Sequence, residues 1–339
     1  MVQATQFRGS PSGHIVQTTA ELPNIQPDEV LVKVTDSGLC GSDLHFLSVP
    51  MVLGHEGIGI VEQIGSACSR LKVGDRVGWG PILSTCDACD MCMTGREAYC
   101  PKVKMYGVED FDIHGSICSH AVRKEQWLFQ IPDSMSSADA APLMCGGGTV
   151  WVPLVEQCKP YERIGIVGIG GLGHLAIQFA AKMGCDVIVF SSTEEKRDEA
   201  LNLGANEFYA TKGVSDYATL GVPKPIDRLL ITSSAKFNLG LFYPILARKA
   251  SIFPLSVDSG DLTAPYMPTI ARGISIVGSC VSSRYPQNKM MDFAARHKIH
   301  SIVEQYPMTL EGVTHAVDRL QSGKIRYRGV ISWNSLHDQ

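Results

Sequence analysis

Residues 164–183 read IGIVGIGGLGHLAIQFAAKM, and the order of their parts decides the fold. Ile164 to Val167 is a short apolar run suited to a buried strand, and from Leu172 to Met183 apolar residues recur at helical spacing. Between them Gly168-Ile169-Gly170-Gly171-Leu172-Gly173 fits the pattern GxGGxG. After a strand and before a helix, such glycines permit a tight turn and let the backbone approach a pyrophosphate. That anion then meets the unpaired N–H groups at the helix start. Val187 to Phe190 is a second strand, and the alternation continues with a helix-like stretch at 194–203 and strand-like runs at 228–231, 251–254 and 274–277. This order signals βαβ units and a doubly wound parallel sheet, an α/β dinucleotide-binding domain over 144–280.

The residue after the second strand separates the two nicotinamide cofactors, because a carboxylate there binds the ribose 2′-hydroxyl and repels a 2′-phosphate. This chain has Ser191, Ser192 and Thr193, followed by Lys196 and Arg197. Hydroxyls and positive charge suit a phosphate, so NADP(H) is the expected cofactor. Glu194 and Glu195 weigh against it, and residues 192–195 also suit the start of a helix. Thr149, Ser279 and Cys280, at the two ends of the domain, complete the candidate cofactor contacts together with the glycines and Leu172.

Upstream of about residue 140 the pattern is β-rich, with short runs such as Val30 to Val34, Ile58 to Ile64 and Asp75 to Trp79 between glycine and polar turns. Past residue 280, helices near 287–297 and 310–322 and a strand at Val330-Ile331 are expected to return to this β-rich domain of residues 1–143. With 339 residues, 45% hydrophobic, the chain is long enough for two domains with their own cores. Its net charge of −4 is spread along the sequence, which excludes a basic face for nucleic acid. Residues 1–10 lack a signal-peptide core, and the longest apolar stretch, 164–181, is broken by five glycines and His174. No membrane association and a cytoplasmic location are therefore expected.

The 11 cysteines are an odd count in a long chain, and four of them, Cys86, Cys89, Cys92 and Cys100, follow CxxCxxCx7C. That is metal-ligand spacing, and four thiolates on one loop can close a tetrahedron around a structural zinc. Cys40, His55 and Cys145 lie on remote segments. Such a Cys/His/Cys set leaves a coordination position free, as a catalytic zinc requires. Cys68, Cys118, Cys158, Cys185 and Cys280 are expected to act as small buried hydrophobes.

Taken together, GLCGSDLH, VLGHEG, the four-cysteine lobe, APLMCGGGTVW, GIGGLG and IRYRGV make the chain resemble the zinc-dependent medium-chain alcohol dehydrogenases, nearest the cinnamyl-alcohol-dehydrogenase-like branch. The resemblance spans nearly the whole chain. It implies a GroES-like catalytic domain, a Rossmann domain inserted between its parts and a homodimer joined through the Rossmann sheets. It implies further that Cys40, His55 and Cys145 hold the catalytic zinc, that Glu56 is an exchangeable fourth ligand, and that Ser42 and His45 relay a proton. The alternative for Ser42 and Asp43 is a turn or helix cap.

Two stretches depart from the family pattern. Only 14 residues separate Cys40 from His55, and the segment 108–120 is short, so a more open or reshaped pocket is expected. Gly146, Gly147 and Gly148, beside Cys145, are expected to add room or flexibility near the nicotinamide. The activity so implied is reduction of an aldehyde or ketone by NADPH with two zinc ions per chain. Alternatives are reduction of an imine, iminium or activated alkene, and a non-catalytic NADPH-binding protein that has kept the fold.

Overall fold

Strand Arg163–Val167 lies at the middle of a six-stranded sheet whose every pairing is parallel. The computed structural model describes residues 2–108, 114–235, 238–257 and 260–334. In spatial order the strands are Glu207–Ala210, Asp186–Ser191, Arg163–Val167, Ile226–Ile231, Leu246–Pro254 and Ser275–Ile276. The order reverses between Arg163–Val167 and Ile226–Ile231, the switch point where open α/β sheets bind ligands at the carboxyl ends of their strands. Ile164, Ile166, Val187, Ile188, Leu229, Leu230 and Ile252 are completely buried, as a parallel sheet covered on both faces requires. This unit spans residues 149–280.

The other unit comprises residues 1–148 and 281–339. Its seven-stranded sheet is mostly antiparallel, and strand Glu29–Leu39 is shared among three partners. Residues 29–33 pair with His120–Lys124, residues 30–38 with Glu56–Ile64, and residues 36–39 with the late strand Arg328–Ser332. Two register shifts in the pairing with Glu56–Ile64 bend the long strand so that it can serve all three. The core joins Phe7, Val32, Leu53, Trp79 and Ile117 to Val313, Ala316 and Val317 of helix Leu310–Gln321.

The α/β class, the GroES-like β-rich unit and the parallel sheet are those expected. The edge strand Glu207–Ala210 escaped the sequence reading, and the stretch expected as one helix over 194–203 is a 3-10 turn, Glu194–Lys196, followed by a short α-helix, Arg197–Asn202. Gly146 to Gly148, expected to add room or flexibility, form the first turn of helix Gly146–Gln157. A Cβ on Gly147 would stand 2.8 Å from Leu143 Cδ2, and one on Gly148 2.6 Å from Gln287 Oε1, so these glycines serve close packing. Cys118, Cys158 and Cys185 are buried as expected, whereas Cys68 is only half-buried and Cys280 is exposed. Part of the shortened 108–120 segment, residues 109–113, lies outside the described residues.

Candidate metal centres and nucleotide turn

Cys40 follows strand Glu29–Leu39 and caps the start of a 3-10 helix, Gly41–Phe46, whose third residue is Asp43. Asp43 Oδ2 accepts the Cys40 backbone N–H at 2.8 Å, and its Oδ1 lies 2.9 Å from His55 Nδ1. With Nδ1 committed to the carboxylate, Nε2 is the histidine atom left for a metal. The Tyr106 ring lies 4.8 Å from the His55 ring between centroids, while its hydroxyl accepts the Gly54 N–H at 3.0 Å and bonds Asp43. The short connector is held down: Phe46 packs edge-on against Tyr106, with ring centroids 5.3 Å apart.

Cys40, His55, Glu56 and Cys145 offer ligand atoms that all lie within 4.8 Å of one another, and all four residues are buried. Two thiols, one imidazole and a carboxylate form the donor set of a catalytic zinc site, so the residues fit the ion. Of the two thiols, Cys40 ionises first: the hydrogen bond with Cys145 pulls it well below its ordinary value and pushes Cys145 well above. Burial works against charge on His55, yet the Asp43 carboxylate outweighs it and raises the imidazole. Glu56 has a second commitment, because both its carboxylate oxygens bond Arg328, itself buried. Burial pushes Glu56 up to about 7 against the pull of that guanidinium.

Ser42 and His45 share the 3-10 helix. Ser42 Oγ is 3.7 Å from Cys40 Sγ and His45 is exposed, and among the described residues no hydrogen bond joins the two. Three contributors were not read from sequence. The sequence offers Asp43 as a turn or helix cap, and it does cap the Cys40 N–H, but its bond to His55 carries no sequence signal. Arg328 lay unassigned within IRYRGV, and Tyr106 carried no local signal.

In the cysteine lobe the sulfur separations are 3.5 Å for Cys86–Cys100, 3.6 Å for Cys89–Cys92 and 3.9 Å for Cys86–Cys92. A tetrahedron with Zn–S bonds near 2.3 Å needs edges of about 3.8 Å, so the four thiols already have the spacing of a zinc site. Backbone N–H groups, led by that of Ala88, lower Cys86 to about 6, while burial pushes Cys92 up to about 12. The lobe is clasped by helix Arg284–His297: Arg284 pairs with Glu97 at 2.8 Å and with Asp87 at 3.2 Å.

In the sheet unit, Gly168 has φ +95° and a Cβ on Gly173 would stand 2.0 Å from the Gly168 carbonyl, so only glycine allows this turn against helix Gly173–Lys182. A Cβ on Gly170 would meet nothing within 4 Å, leaving room above the turn for a phosphate. Gly171 and Leu172 are half-buried beside it. Ser191 ends its strand, and the Thr193 side chain makes no capping bond to the 3-10 turn it precedes. Ser192 is exposed, Thr149 is nearly buried, and Lys196 Nζ donates to the Ile169 carbonyl of the glycine turn at 2.8 Å. Ser279 Oγ is shut off from solvent without a partner among the described residues, and Cys280 follows it at the surface. An open cradle at Gly170 and the unpartnered, solvent-shielded Ser279 hydroxyl fit a dinucleotide.

The alcohol dehydrogenase GroES-like domain family matches residues 26–133, and the zinc-binding dehydrogenase family matches residues 171–296. Cinnamyl alcohol dehydrogenase 8 of Arabidopsis thaliana is 35% identical over 320 residues, covering 89% of this chain and 87% of that protein. The NADP-dependent alcohol dehydrogenase C 1 of Mycolicibacterium smegmatis is 32% identical over 95% of both chains. A solved cinnamyl alcohol dehydrogenase from Sorghum bicolor superposes with a TM-score of 0.91 at 29% identity over 100% of both chains. The Helicobacter pylori cinnamyl alcohol dehydrogenase complexed with NADP(H) gives 0.88 at 25% identity over 98% of this chain and 99% of that one. With family matches in both units and relatives of this identity along nearly its whole length, the chain belongs to the zinc-binding alcohol dehydrogenase family, in company with the cinnamyl alcohol dehydrogenases.

Proposed function

We propose that this oxidoreductase is an NADPH-dependent zinc alcohol dehydrogenase that works as an aldehyde or ketone reductase. The observation that carries the reading is the buried Cys40, His55, Glu56 and Cys145 cluster oriented by Asp43. Cys40, His55 and Cys145 would hold the catalytic ion, with Glu56 exchanging between it and Arg328, and the four lobe cysteines would hold a second. Bound zinc would polarise a carbonyl oxygen and bound NADPH would supply the hydride. Ser42, beside the Cys40 sulfur, would give the substrate oxygen its proton, and exposed His45 would restore that proton from water. Asp43 keeps the histidine in one tautomer, and the Asp43, Tyr106 and Gly54 hydrogen bonds hold its ring in place.

In this reading residues 1–143 and 281–339 form the catalytic domain and 144–280 the cofactor domain. The Gly168 to Gly173 turn takes the pyrophosphate, and Ser191, Ser192, Thr193 and Lys196 take the 2′-phosphate. Thr149, Ser279 and Cys280 line the remainder of the cofactor. Tyr266, Met267 and Ile270 are exposed on helix Tyr266–Arg272, and Ile276 is exposed on the outer strand of the sheet, which supports a homodimer. No helix among the described residues is long and apolar enough to cross a membrane, and a cytoplasmic location agrees with that.

The test is a panel of aldehydes, ketones and cyclic imines offered with NADPH or NADH to zinc-loaded protein. Carbonyl reduction favouring NADPH supports the reading. Turnover of imines alone would move the assignment to C=N reduction, and binding without any turnover to a non-catalytic role.

A further inference from the structure

The segment that follows strand Glu207–Ala210 runs directly beside the three hydroxyls. The Thr211 N–H and hydroxyl both donate to the Ser191 carbonyl, at 2.8 and 3.0 Å, and the Lys212 N–H donates to the Ser192 carbonyl at 3.0 Å. Lys212 is exposed, is fixed at its backbone to the residue expected to meet a ribose phosphate, and has no carboxylate partner among the described residues. The chain turns away immediately afterwards at Gly213, φ +82°.

The other cations nearby are placed differently. Arg197 is committed to Glu194 at 2.5 Å and lies over the Phe208 ring. Lys196 reaches back to the Ile169 carbonyl at 2.8 Å, on the pyrophosphate side of the site. A dianionic phosphate beside Ser191 and Ser192 would therefore have Lys196 on one flank and Lys212 on the other.

We propose that Lys212 is the second cation of the 2′-phosphate site and a determinant of cofactor choice; this rests on the reading that the site takes NADPH. A phosphate carrying nearly two charges gains from each cation it meets, whereas the 2′-hydroxyl of NADH offers none. The hydroxyls supply hydrogen bonds and the two lysines supply charge.

Direct titration of wild type, Lys212→Gln and Lys212→Arg with NADP+ and with NAD+, followed by intrinsic fluorescence or calorimetry, tests this without turnover. Lys212→Gln is expected to weaken NADP+ binding about fivefold and leave NAD+ unchanged, with Lys212→Arg restoring the wild-type ratio. An unchanged ratio in Lys212→Gln, equal weakening of both cofactors, or failure of Lys212→Arg to restore it overturns the inference. Wild type binding NAD+ as tightly as NADP+ would instead overturn the underlying reading, and the inference with it.

Discussion

Gly38 shows how one missing side chain sets up the metal cluster. It pairs with Glu56 across the sheet on one side and with Val330 on the other, and a Cβ there would stand 2.1 Å from Glu56 Oε2. The glutamate can lie across the strand and reach Arg328 only because position 38 is bare. Removing the guanidinium would leave a buried carboxylate without its counter-charge, so Arg328→Ala should cost about 3–5 kcal/mol in urea unfolding. Arg328→Met with Glu56→Leu should cost less, because neither charge is left alone; a larger loss in the double variant would refute the ion-pair account. A second buried carboxylate, Glu125, contributes to acid stability. Burial opposes charge on Glu125, but the N–H groups of Leu71, Arg70 and Ser69 hold its carboxyl below the ordinary 4.5. Because the folded value is depressed, this stabilisation is complete above 4.5 and is lost as pH falls through the lowered value. Glu125→Gln should therefore lose about 1–3 kcal/mol at pH 7, and the gap to wild type should narrow below pH 4.5 in denaturant titrations. Residue type and spacing made the cysteine lobe a candidate, and the family resemblance did the same for Cys40, His55, Glu56 and Cys145, which are drawn from remote segments. Arg328 could not be read from sequence, since its partner lies 272 residues away and only strand pairing brings them together.

At the scale of elements, long periodic stretches were legible and short or glycine-rich ones were not. Helix Leu310–Gln321 and strand Asp186–Ser191 fall where the apolar periods put them, whereas helix Gly146–Gln157 begins with three glycines, the poorest helix formers after proline. Close contacts of Gly147 and Gly148 with Leu143, Met290 and Gln287 replace the missing propensity. The cysteine lobe is the opposite case, a local motif whose spacing alone announced it. It holds little apolar core of its own, with a four-residue helix, Asp90–Met93, and a three-residue 3-10 turn, Glu97–Tyr99. Metal should therefore supply much of its stability. Cys89→Ser should lose one zinc per chain and lower the melting temperature, by about 2–4 °C for each kcal/mol lost. An unchanged melting temperature alongside the lost ion would show that the Arg284 clasp holds the lobe without metal.

For the whole molecule, the alternation of strand and helix after residue 163 and the β-rich pattern before residue 140 gave both architectures. The sheet order and the sharing of strand Glu29–Leu39 lay beyond periodicity, because they depend on pairings between distant segments. Assembly belongs to this scale as well. Tyr266, Met267 and Ile270 are exposed on a helix packed against strand Leu246–Pro254, and Ile276 is exposed on the outer strand of the parallel sheet. Under the proposed homodimer, Ile270→Asp should yield a monomer in sedimentation velocity while leaving NADP+ binding in place; a dimer of undiminished strength would put the interface elsewhere. The account as a whole stands on the proposal that Cys40, His55 and Cys145 hold a Lewis-acidic ion. The most direct test is zinc content per chain measured with single-turnover NADPH oxidation in wild type, His55→Ala and Cys89→Ser. The account predicts about two ions in wild type and one in each variant, hydride transfer to an aldehyde surviving only where the His55 site is filled, and unchanged NADPH affinity in His55→Ala. Full hydride transfer from protein whose His55 site carries no metal would contradict it.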